Sequence, residues 1–76
     1  MITVKLYGLM RVETGIKSLP VEAEDLKTVY LRLEEAGLER QALQGCCVLV
    51  NGEAAPKRRK LADGDVVQLL PPVAGG

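Results

Sequence analysis

Between Asp25 and Gly37 the spacing of apolar residues lengthens from two to a helical repeat, and this restricts the fold more than any other feature of the chain. Leu26, Val29, Tyr30 and Leu33 share one stripe, Arg32, Glu34 and Glu35 lie off it, and Gly37 is placed to stop the helix. Asp25 and Thr28 both qualify as the N-cap, and residue type does not choose between them. A weaker turn of helix is expected near Glu39 to Leu43. A chain of 76 residues has room for one core, so the apolar stripe must be buried against a single partner layer.

That layer is predicted from aliphatic runs on both sides of the helix. Ile2, Val4 and Leu6 alternate with Thr3, Lys5 and Tyr7, the period of a half-buried strand. Gly8 to Gly15 reads as a turn-rich connection. Ile16 to Ala23 has β character but contains Pro20, which cannot donate to a ladder and suits an edge strand, so the first two strands are expected to form a hairpin. After the helix, Cys46 to Val50 is a strand closed by Asn51-Gly52, a dipeptide suited to a tight turn. A weak strand near Ala54, a polar loop with Pro56 and Lys57 to Lys60, and a turn at Asp63-Gly64-Asp65 lead into a final strand, Val66 to Leu70. The expected organisation is an α+β domain over residues 1–70, a sheet packed on one main helix, followed by an extended tail over 71–76. With no Trp or Phe and two Tyr, its core must be aliphatic.

Several chemistries are excluded by what the chain lacks. Without His there is no Ser-His-Asp arrangement, and the adjacent Cys46 and Cys47 cannot supply the separated pairs of a structural zinc site. Neither a dinucleotide-binding nor a P-loop glycine motif occurs. Glu34 and Glu35 diverge on the helix instead of flanking a substrate. The chain is therefore expected to be no enzyme by itself and to bind neither metal nor cofactor. Ten basic and ten acidic residues cancel, so neither nucleic acid nor membrane is an expected partner. Vicinal cysteines, and an amino end without the pattern of a signal peptide, suggest a cytoplasmic protein.

What remains is the tail, Pro71-Pro72-Val73-Ala74-Gly75-Gly76. The prolines favour an extended base, and the glycines make a thin tip able to pass a constriction. Six residues reach roughly 20 Å, enough to deliver the Gly76 carboxylate into a buried site on another protein. An ionised carboxylate is a poor electrophile. Adenylation supplies a leaving group, after which a sulfur nucleophile can convert the terminus to a thiocarboxylate.

Met1-Ile2-Thr3-Val4-Lys5-Leu6-Tyr7, Val50-Asn51-Gly52-Glu53 and Leu61-Ala62-Asp63-Gly64-Asp65-Val66-Val67 leading to the Gly75-Gly76 end resemble the MoaD/ThiS family of sulfur carriers. The ending Pro-Pro-Val-Ala-Gly-Gly is typical of its molybdopterin synthase small-subunit branch. The resemblance implies a ubiquitin-like β-grasp fold with a mixed sheet of four to five strands and a flexible tail. It further implies an E1-like adenylating enzyme that consumes ATP, and thiocarboxylate formation at Gly76. Insertion into the large subunit of molybdopterin synthase and sulfur donation to a pterin precursor would follow. The chain departs from the family at Leu9-Met10-Arg11-Val12-Glu13, where Leu-Arg-Glu is frequent, and at Leu69-Leu70, where aromatics are frequent. Carriers for thiamine, tungsten-cofactor or other sulfur pathways share the same tail, and a ubiquitin-like modifier or interaction module is the alternative from another class.

Parity along the strands places Tyr7, Val66, Gln68 and Leu70 outward, and predicts a partner-binding patch of Tyr7, Leu49 and Leu70 beside the root of the tail, continued by Pro71, Pro72, Val73 and Ala74. The basic run Lys57 to Lys60 reads as a solvated loop, with acidic surface or phosphate as the partner it could take. Of the two cysteines, alternation buries one and leaves the other on the outer face.

Overall fold

The alternation at the amino end becomes β1, Ile2–Leu6, with Ile2, Val4 and Leu6 buried and Thr3 and Lys5 exposed. The structure, a computed structural model, describes residues 1–71; Pro72 to Gly76, most of the expected tail, lie outside the described residues. The remaining elements are α1 (Gly8–Thr14), β2 (Ser18–Val21), α2 (Leu26–Glu35), α3 (Arg40–Gln44), β3 (Cys47–Val50), β4 (Glu53–Ala54) and β5 (Val66–Leu70). None of the described helices is long and apolar enough to cross a membrane.

The strands form one mixed sheet in the order β2-β1-β5-β3-β4. β1 pairs antiparallel with β2 and parallel with β5, and β3 pairs antiparallel with both β5 and β4. Pro20 sits on edge strand β2, where its missing N–H leaves no gap in an interior ladder. The strand pairing puts the last strand in the centre and brings the end of β1, the start of β3 and the end of β5 to one end of the sheet. α2 covers the inner face: Leu26, Val29 and Leu33 pack with Ile2, Val4, Leu6, Val50, Val67 and Leu69, each fully buried side chain worth about 1.5–3 kcal/mol.

Asp25 is the N-cap of α2. Its Oδ1 accepts from the Thr28 amide at 2.8 Å and from the Thr28 hydroxyl at 2.7 Å, so the two candidate caps act as one pair. At the other end Leu38 N–H donates to Leu33 O and Gly37 N–H to Glu34 O, with Gly37 at φ +103°, the left-handed closure that only glycine adopts without strain. The Asn51-Gly52 turn has positive φ at both positions, 52° and 86°, as a two-residue hairpin of this hand requires. Asn51 then bridges to the final strand: its Oδ1 accepts from Val66 N–H and its Nδ2 donates to Asp65, both at 3.0 Å. The loop 57–60 is bound to the start of α2, where Leu26 N–H donates to Arg59 O and Lys27 N–H to Lys57 O.

One expectation fails. Gly8 to Gly15, read as a turn-rich connection, contains α1, with Gly15 as its left-handed C-cap at φ 71°. This helix buries Met10 and leaves Leu9 and Val12 65% and 76% exposed, so a single anchoring side chain hides its periodicity from the sequence.

Candidate functional site

The sheet face opposite α2 is the candidate site, because β5 runs through its middle and hands the chain to Pro71. Leu49 lies opposite Gln68 across β3 and β5, Lys5 opposite Gln68 across β1 and β5, and Leu70 opposite Cys47. Residues paired across a sheet, and residues two apart along a strand, share a face, so Tyr7, Leu49, Gln68 and Leu70 stand together on the outer side. All four are half-buried.

Tyr7 is held there by a hydrogen bond from Gln68 Nε2 to its hydroxyl, 3.0 Å long. The apolar surface is thus not continuous: an amide–phenol pair crosses it, fixing Tyr7 next to the strand that ends at Leu70. Alternation places Gln68 outward, but no local pattern announces its bond to a residue 61 positions away.

Pro71 is the first residue beyond the sheet, and its ring packs on Gly8. A Cβ built on Gly8 would lie 2.6 Å from Pro71 Cγ, and Gly8 also has φ +62°. Both sterics and backbone therefore demand glycine here. Beside this contact a cleft of about 320 Å³ opens between α1 and α3, lined by Leu9, Met10, Leu38, Ala42 and Pro71 among others. No local pattern announces this part of the site, because α1 buries only Met10. Of the predicted tail residues, Pro72, Val73, Ala74, Gly75 and Gly76 lie outside the described residues.

The cysteines flank the same end. Cys46 is half-buried and donates from Sγ to Ala42 O at 3.2 Å; burial, and then the neighbouring Cys47, push its pKa up, which disfavours the thiolate form. Cys47 is exposed, and both are free thiols. Among the described residues no cluster of His, Cys, Asp and Glu is placed to hold a metal. The described residues form a shaped, half-apolar surface around the point where the chain leaves the sheet.

The ThiS family model matches residues 4–76. A search of curated protein sequences finds no match. Among solved structures the chain is similar to one in the complex of subunits 1 and 2 of molybdopterin-converting factor from Helicobacter pylori, with 30% identity, TM-score 0.78, and coverage of 99% of this chain and 97% of that one. SAMP1 from Haloferax volcanii has 29% identity and TM-score 0.85 over 99% of this chain and 98% of its own. A chain of the Amycolatopsis orientalis BexX/CysO complex has 26% identity and TM-score 0.70, with both chains fully covered.

Proposed function

The chain belongs to the ThiS family of ubiquitin-like β-grasp sulfur carriers, and on that premise we propose that its working group is the Gly76 carboxylate, carried as a thiocarboxylate and spent on a pterin precursor in molybdopterin synthesis. An E1-like enzyme would adenylate Gly76: a carboxylate oxygen attacks the α-phosphorus of ATP and pyrophosphate leaves. A sulfur nucleophile then attacks the carbonyl carbon and AMP departs. The large subunit of molybdopterin synthase would supply acid, base and substrate pocket, while this chain contributes fold, docking face and sulfur.

The observation that carries this reading is the junction at Leu70-Pro71. The central strand ends on the outer face beside Tyr7, Leu49 and Gln68, and Pro71 is seated on Gly8, so the chain departs from the end of the central strand, at the border of a surface fit to dock on a partner. The pterin branch is supported by the sequence Pro71-Pro72-Val73-Ala74-Gly75-Gly76 and by the likeness to a molybdopterin-converting factor subunit. A modifier role is the second reading, favoured by the likeness to SAMP1, a small archaeal modifier protein. The reducing cytoplasm is the compartment in which both free thiols and a thiocarboxylate persist.

Mass spectrometry of the protein isolated from its native cell tests the proposal. A gain of about 16 Da on Gly76, one oxygen replaced by sulfur, is expected of a carrier. Isopeptide linkage to lysines would instead establish the modifier, and an unmodified terminus under conditions of cofactor synthesis would overturn both. Adding one residue after Gly76, or deleting Gly76, should abolish sulfur transfer and leave the unfolding midpoint unchanged.

A further inference from the structure

On the helix side of the molecule, away from the outer sheet face, lies a cleft of about 520 Å³ between α2, α3 and the loop 57–60. Its apolar floor includes Tyr30, Leu31 and Leu43: Leu43 is buried, Tyr30 half-buried, and Leu31 52% exposed on a helix whose other leucines are covered. Five cations line the cleft, Lys27, Arg40, Lys57, Arg58 and Lys60. Two carboxylates lie with them. Asp25 is engaged as the cap of α2, and Glu34 sits one turn beyond Tyr30. In a chain whose formal net charge is zero, half of the ten basic residues converge on this one opening.

The geometry points to this cleft as a docking site for an acidic segment of a partner protein that also carries apolar side chains. Charge complementarity selects the acid, and the floor selects the apolar anchors. The site is built, because the basic loop is hydrogen-bonded to the start of α2 through Leu26 to Arg59 and Lys27 to Lys57, and the Lys57 ammonium lies 5.2 Å from the centre of the Tyr30 ring. A free phosphate or nucleotide is the poorer occupant. The first-turn amides of α2 that would cradle phosphate are taken, by Arg59 O, Lys57 O and Asp25 Oδ1, which leaves cations on long side chains, suited to carboxylates spread along a peptide. The cleft and the outer sheet face are on opposite layers, so a partner arm could hold the cleft while the sheet face is engaged. The inference does not depend on the chemistry proposed for Gly76.

The test is an amide-resonance titration of the full chain with a capped peptide of glutamates interspersed with leucines. Expected are shifts at Tyr30, Leu31, Lys57 and Arg58, and binding that weakens as salt rises from about 0.05 M to about 0.3 M. Affinity should fall at least about tenfold in Arg58→Glu and in Leu31→Asp, each checked for an unchanged circular dichroism spectrum. Polyglutamate without leucine should bind more weakly than the mixed peptide. Absence of peptide binding, affinity unchanged in both variants, shifts confined to the Tyr7 and Leu70 face, or equal perturbation by pyrophosphate or ADP would each overturn the proposal.

Discussion

Gly8 and Pro71 are in such close contact that a single added carbon on Gly8 would fall 2.6 Å from the proline ring. The contact joins the start of α1 to the first residue after β5, two positions far apart in the chain, and sets where the chain leaves the sheet.

Gly8→Ala should therefore be costly in two ways. The φ of +62° is strained for any residue with a Cβ, and the proline must move. We expect a loss of about 1–3 kcal/mol in urea unfolding. Thiocarboxylate formation by the activating enzyme should also fall under conditions where the variant remains folded. Gly52→Ala, also at positive φ but with open space around its Cβ, should cost stability without affecting sulfur loading.

Leu70→Glu and Leu49→Glu place charge on the outer face without touching the buried core. Binding to the activating enzyme, measured by calorimetry, should weaken at least about tenfold in each, with the unfolding midpoint shifted little. Unchanged affinity in both variants would remove this face from the docking surface.

Tyr7→Phe deletes the acceptor of the Gln68 amide on a half-buried surface. A loss of about 0.5–1.5 kcal/mol is expected. Adding Gln68→Ala to that variant should cost less than Gln68→Ala in the unaltered protein, the coupling read from a double-mutant cycle.

Acid should loosen the two carboxylate-held corners first. Asp25 is held below the usual carboxylate range chiefly by the Thr28 hydroxyl, then by the Thr28 amide, and Asp65 chiefly by the Ala62 amide, then by the Asn51 side chain. Because the folded values lie below the unfolded one, the stability these bonds provide is present above about pH 3.9 and is lost as pH falls through the folded values. The urea midpoint should drop in that acidic window, and Asp25→Asn together with Asp65→Asn should flatten the drop.

Much of the fold was legible because its signals are local. The period of two in Ile2 to Leu6, the stripe Leu26, Val29, Leu33, and the Asn51-Gly52 turn each depend on residues a few positions apart, and each appears where the spacing places it. The short helix near Glu39 to Leu43 was legible for the same reason and is found at Arg40–Gln44. α1 was not. The seven residues Gly8–Thr14 are too few to be helical on their own, and what holds them is Met10 in the core and the left-handed cap at Gly15. The choice between Asp25 and Thr28 as cap was undecidable for a different reason, since both belong to a single hydrogen-bonded pair.

Local spacing along the chain is enough to specify the alternating and helical elements, the α+β class and the chemical character of Pro71 to Gly76. Long-range packing places β5 between β1 and β3, brings Gln68 to Tyr7, rests Pro71 on Gly8 and gathers five cations in one cleft with Tyr30. Periodicity reports which face of an element is apolar, but not which element lies beside it; strand order and long-range contacts arise from packing all the faces onto one core.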